Sequence, residues 1–472
     1  MDTTEIDDRY SIGHFGDQRL SNIGKLLYCR MVERNTVCLR QLSDTDATER
    51  RFHRFLESHR VTAPEITRVG SEHTASAAAG RHVLAIQDTS ELDYTPHARR
   101  TAGLGGISGR KARGLLIHPV LVVDAQSNAC LGTVHEQVWV RDEDATPKRA
   151  RRPIEEKESM RWLEGAQIAA RRLSQAACVT VVADRESDIF EEWDRIPDEH
   201  THLVTRAHYD RKIKGGDTLF GWLKKQPEMG NYTFEVPPRS AGKPYRSTGG
   251  GSHKARTAHR ARMEVRYGQV TILRPQGCKA KKDRVDLYVV EVRELPETVP
   301  AGEDPVHWVL LTDHEVHDAK RALEVVGWFQ QRWQIEQLFR TLKRQGLKIE
   351  ASQLEESDEL VKLACIATQV AARTMQLVNA RDGDTGQPAS DAFEEEEIVV
   401  LGKLQGELEG KTTRQQNPHP FGSMAWAAWT IARLGGWKGK AKEAKPGPIT
   451  MLHGLQRFDG MVQGWKLAKM WA

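Results

Sequence analysis

Apolar positions along the chain fall into three regimes. Up to residue 57 they recur at helical spacing. Leu20, Ile23, Leu26 and Leu27 form one stripe, and Phe52, Phe55 and Leu56 lie on a second, short helix that also carries Arg50, Arg51 and Arg54. From residue 82 the pattern shortens to strand-length runs. Residues 82–87 end at Asp88, 115–124 and 131–141 follow, a helix over 156–172 intervenes, and 178–183 ends at Asp184 before a last strand at 202–206. Residues 207–312 change character: 232–237, 263–273, 286–293 and 308–312 read as strands between Gly-, Pro- and Arg-rich loops, a β-rich insertion. Helix resumes near residue 317 and runs as one element past Lys343, and a further helix spans about 356–378. The polar, acid-rich stretch 381–397 reads as a loop or linker. From Phe421 onward the pattern is helical, with Trp426, Trp429, Trp437, Trp465 and Trp471, and no segment repeats.

This order predicts an α/β chain in three units: helical 1–70, a core over 71–380 with its insertion at about 207–312, and helical 381–472. A length of 472 residues is too great for one ordinary core. No apolar run approaches the ~18 residues of a membrane span. The polar N-terminus is unlike a signal peptide, so a cytoplasmic protein is expected. The six cysteines are scattered without C-x-x-C pairs, which predicts reduced thiols and no zinc site or disulfide framework. Net charge is only +4, but it is segregated. Seven Lys or Arg and no acid lie between Arg239 and Met263, further clusters occur at Arg99–Arg113 and Lys148–Arg152, and acid gathers at Glu394 to Glu397. Segregation of this kind suits a polyanion such as DNA, and solvated loops would look the same.

Three strands, a helix and a fourth strand, with an Asp after the first strand and another after the fourth, is a ribonuclease-H-like order. Adjacent strands would bring Asp88 and Asp184 together, and paired carboxylates repel unless a divalent cation lies between them. A third acid from a helix would complete a two-metal site. Glu336 is the candidate, because at about 100° per residue Phe329, Arg332, Glu336, Arg340 and Lys343 share roughly 80° of arc on one helix. An ordinary charged helix face also pairs Glu with Arg at this spacing. Glu91, Asp93, Glu186 and Asp188 lie beyond the strand ends and suit loops, helix starts or salt bridges. The Gly-rich stretches at 103–109 and 406–412 lack phosphate-loop or dinucleotide spacing, and His118, mid-strand, reads as a packed histidine.

These residues carry a resemblance. His14-Phe15-Gly16-Asp17 with Arg19, Phe52-His53-Arg54-Phe55, Ala85-Ile86-Gln87-Asp88-Thr89-Ser90, Glu156-Lys157-Glu158-Ser159 with Trp162, and Asp184-Arg185-Glu186-Ser187-Asp188-Ile189 occur in order. A Y-x2-R-x3-E-x6-K signature follows as Phe329, Arg332, Glu336 and Lys343, and then Ile431-Ala432-Arg433-Leu434-Gly435-Gly436. Over nearly its whole length the chain resembles the insertion-sequence-four (IS-four) family of bacterial DDE transposases, the group of the transposon-five enzyme.

The resemblance implies a ribonuclease-H-like catalytic core, a helical N-terminal DNA-binding domain and a helical C-terminal dimerisation domain. It implies cut-and-paste transposition: a nick at the transposon end, a hairpin, hairpin opening and strand transfer into target DNA. Two Mg²⁺ ions, with Mn²⁺ able to substitute, would sit on Asp88, Asp184 and Glu336. Arg332 and Lys343 would grip terminal phosphates, Trp308 would receive a flipped base, Arg206 would lie near the DNA end, and Arg54 would contact DNA from the N-terminal helices. Partners would be transposon-end DNA, target DNA and a second copy in a synaptic homodimer. The signature tyrosine is Phe329 here, which removes one hydroxyl contact worth about 0.5–1.5 kcal/mol. The alternative is a DNA-binding inhibitor or domesticated relative that pairs ends without cutting.

Overall fold

The computed structural model describes residues 11–108, 111–141, 152–239, 255–440 and 443–471. Parts of all three basic clusters (Arg110, Lys148–Arg151 and 240–254) lie outside the described residues.

Among the described residues eleven strands form one mixed sheet: β1 (His82–Gln87), β2 (Ser90–Asp93), β3 (Gly105–Gly106), β4 (Arg113–Asp124), β5 (Cys130–Trp139), β6 (Cys178–Ala183), β7 (Thr201–Arg206), β8 (Gly230–Val236), β9 (His259–Leu273), β10 (Arg284–Glu294) and β11 (His307–Thr312). β5, β4 and β1 are antiparallel neighbours, and β1–β6 and β6–β7 are parallel. That arrangement is consistent with the ribonuclease-H-like order expected above. The β-rich insertion is no separate layer. β11 pairs with β7, and β10, β9 and β8 follow antiparallel, so the insertion extends the same sheet.

The sheet is covered on both faces, which explains why β1 and β6 read as nearly unbroken apolar runs. Val83, Ala85, Val179, Val181 and Leu203 pack with Leu163, Ala166 and Ala169 of the helix Met160–Arg172. The alternate residues Leu84, Ile86, Val182 and Val204 join a larger core with the long helix Ser357–Ala380. The N- and C-terminal helices share that core. Phe52 and Phe55 are fully buried in it, as are Trp426, Ile431 and Phe458. Lys362 Nζ, from the long helix, donates to the carbonyls of Leu56 (2.8 Å) and Ser58 (3.2 Å).

The matched start motif has a local cause: Asp17 caps the helix Gln18–Arg34 by accepting from Arg19 N–H, and Phe15 meets Phe55 edge-on at 5.5 Å. Near the other end, Ile431, Ala432 and Leu434 are buried within the chain itself, where the helices Met424–Leu434 and Pro448–Trp471 cross. A Cβ on Gly454 would lie 1.9 Å from the Ile431 carbonyl oxygen, so only glycine permits that approach.

Two expectations about helices need correction. The single helix expected over 317–343 is two, Ala319–Gln330 and Trp333–Lys343. Between them Gln331, Arg332, Gln334 and Ile335 make i→i−3 hydrogen bonds, a tightened turn that hydrophobic periodicity cannot reveal. The acidic run at 394–397 does not lie in a loop. Glu394 caps the helix Glu395–Leu408 in a reciprocal box with Glu397, and the clustered acids suit the positive end of the helix dipole. That helix contains Gly406, which agrees with the rejection of a phosphate loop there.

Candidate active site

Asp88 and Asp184 occupy equivalent places after adjacent parallel strands. The register Ile86↔Val182 continues two residues on to the two aspartates, on the face of Leu84 and Val182. Each uses Oδ1 to accept the N–H of the next residue, Thr89 or Arg185, at 2.8 Å. That bond fixes the carboxylate and leaves Oδ2 facing inward.

Arg332 meets both. Its guanidinium lies 3.2 Å from Asp88 Oδ2, 3.7 Å from Asp184 Oδ2 and 2.9 Å from Glu336 Oε1. The three acids therefore converge on one cation, with side-chain exposures of 27%, 31% and 29%, while Arg332 itself is 9% exposed. The acids are open to solution on one side and the guanidinium is sealed behind them. Burial pushes the Asp88 carboxyl up to about 6, and the charges of Asp184 and Glu336 add to this against the opposing pull of Arg332 and the Thr89 N–H. Three carboxylates sharing one arginine carry a net negative charge, and their donor set is all hard oxygen, which fits Mg²⁺ or Mn²⁺.

Other expected residues gather around this centre. Arg206 Nη1 lies 3.5 Å from Asp184 Oδ1, and Nη2 donates to the His307 carbonyl at 3.0 Å. Lys343 Nζ reaches the Glu91 carbonyl and Ser90 Oγ of β2 and pairs with Glu350 at 3.1 Å. Trp308 is 8% exposed, its ring edge-on to Phe234 at 5.7 Å and to Phe329 at 5.5 Å. As placed it is a core tryptophan, and a base reaches it only if an aromatic neighbour moves. Phe329, 3% exposed, is packed rather than presented to phosphate. Arg54 lies apart from the acids, exposed with Arg50 and Arg51 on the helix Asp46–Glu57.

Periodicity and spacing missed two residues. Arg161 donates from Nε to Thr89 Oγ1 (2.9 Å) and from Nη2 to Glu186 (2.7 Å), which bolts the helix Met160–Arg172 to both strand ends beside the aspartates. Its only signal in the sequence was adjacency to Trp162. Trp333, at 42% exposure, is the open indole beside the site, 5.4 Å from the Arg332 guanidinium. The flanking acids behave as expected. Asp188 ties a loop by accepting from His208 N–H (2.6 Å), Tyr209 N–H (2.9 Å) and Arg211 Nε (2.7 Å), and Glu91 accepts from Ser108. His118 is fully buried between Gln87 and Thr89 and held neutral by burial, a packed histidine.

No family model matches the chain. The resemblance to the insertion-sequence-four family therefore stands on the motifs alone. Among solved structures, a cryo-EM structure of the piggyBac transposase synaptic complex with hairpin DNA is similar at a TM-score of 0.36 and 10% identity, over 78% of this chain and 67% of that one. A likeness this slight assigns nothing.

Proposed function

We propose that this protein is a DDE-type DNA transposase that cuts and joins DNA at Asp88, Asp184 and Glu336. The observation that carries this reading is the convergence of three acids from two parallel strands and a helix on one buried guanidinium. The matched motifs and the strand order support it independently.

In this reading the three acids hold two Mg²⁺ ions, which when bound activate the attacking oxygen and stabilise the leaving oxygen of a phosphodiester. The chain's own residues do the rest. The Thr89 and Arg185 N–H groups pin one oxygen of each aspartate and so pre-orient the other. Arg332 balances the acids; to grip phosphate it must turn out of its buried place once divalent charge replaces its own. Arg206 and Lys343 flank the same opening as further phosphate contacts. Arg50, Arg51 and Arg54 present an exposed basic face for end recognition. Hairpin formation, target joining and a synaptic homodimer belong to the same proposal.

The test is strand transfer. A supercoiled plasmid carrying the reading frame with its native flanks is incubated with the protein and Mg²⁺. Excised linear element and joined products are expected, and Glu336→Ala should bind the ends but yield neither. End binding without any product from the wild type would favour the non-cleaving alternative.

A further inference from the structure

The sheet face that ends in Asp88 and Asp184 begins in a different chemistry. His82 opens β1 and Cys178 opens β6 directly opposite it, while His202 on β7 pairs with Thr180. His314 follows β11 and folds back over them. Metal-ligating atoms of His82, Cys178 and His314 all lie within 4.8 Å of one another. Thr180 Oγ1 sits between the two imidazoles, 2.8 Å from His82 Nε2 and 2.7 Å from His314 Nε2. Six residue steps along the strand, roughly 20 Å at about 3.3 Å each, separate His82 from Asp88, so the two clusters are distinct.

The surroundings are arranged as they are around ligands. Asp313 accepts from Leu203 N–H (2.7 Å) through one oxygen and holds His202 Nδ1 at 2.6 Å through the other. A carboxylate on one ring nitrogen, leaving the other free to bind, is the usual support of a metal-ligating histidine. The His202 ring lies against that of His314, centroids 4.2 Å apart. Asp313 holds His202 protonated, raised to about 10, so His202 can ligate only by giving up that proton as the ion binds.

We propose that His82, Cys178 and His314 bind a zinc-class transition-metal ion, with His202, oriented by Asp313, as the fourth ligand. One thiolate and three imidazoles are soft to intermediate donors that select Zn²⁺ or Co²⁺ over Mg²⁺. Bonds of about 2.0–2.3 Å put tetrahedral ligands some 3.3–3.7 Å apart, so His82, Cys178 and His314 must contract by about an ångström and displace the Thr180 hydroxyl, and His202, outside their 4.8 Å group, must swing in. Arg321 must also leave His314 Nδ1, now 3.3 Å away, and its pairing with Glu324 at 2.7 Å gives it somewhere to stay. Trp328 packs on both His82 (4.9 Å) and His314 (4.7 Å), four residues before Arg332. An ion here would brace the helix pair that delivers Glu336. This site is independent of the carboxylate centre and of its proposed chemistry.

Spacing could not reveal it, because the four donors come from four separated segments. The experiment is a Co²⁺ titration of the full chain after chelation, without DNA. One equivalent should produce a thiolate-to-cobalt charge-transfer band in the near ultraviolet, which Zn²⁺ removes and millimolar Mg²⁺ does not. Cys178→Ser should abolish the band, Cys278→Ser should keep it, and Asp313→Asn should weaken Zn²⁺ binding about 10–100-fold. If Cys178→Ser loses its native circular dichroism, Asp313→Asn decides instead. No band in the wild type, a band that survives in folded Cys178→Ser, or unchanged affinity in Asp313→Asn would each overturn the proposal and leave a set of hydrogen-bonded His–Thr and His–Asp pairs.

Discussion

Replacing Arg332 with glutamine removes the one cation that Asp88, Asp184 and Glu336 share, at 3.2, 3.7 and 2.9 Å. Breaking a fully buried pair costs about 3–5 kcal/mol, but here two effects reduce the loss. The acids keep 27–31% exposure, so water screens them. Asp88 also has an escape, since its carboxyl already sits at about 6. Protonating it at pH 7 then costs about 1.4 kcal/mol, one unit's worth, and less once Arg332 is gone and the carboxyl rises further. The expected deficit at pH 7 is therefore about 1–2 kcal/mol. The sign with pH follows from a carboxyl raised in the folded state: stability it contributes is present below the ordinary aspartate range and is lost as pH rises through about 6. Because the variant raises it further, its deficit should be full at pH 7 and shrink by pH 5. Mg²⁺ should stabilise Arg332→Gln more than wild type, because no arginine competes for the acids; at a hundredfold excess over Kd the gain is about 2.7 kcal/mol. Urea melts at pH 5 and 7, with and without Mg²⁺, measure all of this. A deficit equal at both pH values and indifferent to Mg²⁺ would mean that Arg332 is only a packing residue.

Gly454→Ala should destabilise the chain by about 1–3 kcal/mol in thermal melts, because its Cβ would lie 1.9 Å from the Ile431 carbonyl oxygen. Alanine at Arg50, Arg51 and Arg54 together should weaken end binding and flatten its salt dependence with an unchanged melt; binding that stays the same would remove these residues from the DNA interface. This triple variant is a cleaner test than deleting residues 1–57, which would strip Phe52 and Phe55 from the shared core. Trp308→Ala should lose about 3–5 kcal/mol of stability, whereas the exposed Trp333→Ala should fold normally and lose about 1–3 kcal/mol of DNA affinity if a base stacks there; gel shifts and melts on both variants separate the roles.

The positions of Asp88 and Asp184 were legible because β1 and β6 are buried on both faces and so read as short apolar runs with a sharp polar end. Glu336 was legible by its spacing from Arg332, but the geometry behind it was not. The arc that placed both on one straight helix ignored the tightened turn at 331–332, a backbone hydrogen-bond choice with no hydrophobic signature. Arg332, which the resemblance implies as a phosphate contact, turns its guanidinium in toward the acids. Trp308 shows a second limit. A motif can align an indole, but the packing of Phe234 and Phe329 around it exists only in three dimensions. Composition alone reads the acidic run at 394–397 as a loop, although its glutamates sit where a helix start prefers them.

The central claim is that Asp88, Asp184 and Glu336 form one metal-dependent centre. The most direct measurement is Mg²⁺-dependent nicking of a duplex bearing the element's end, with wild type, the three single alanine variants and the triple variant, beside a binding titration at fixed salt. Wild type should nick and leave a 3′-hydroxyl. Each single variant should fall by orders of magnitude while end binding holds or tightens, and the triple variant should be no worse than the singles, because the acids act as one unit. Near-wild-type nicking by any single variant, or losses that multiply across the three, would contradict the assignment.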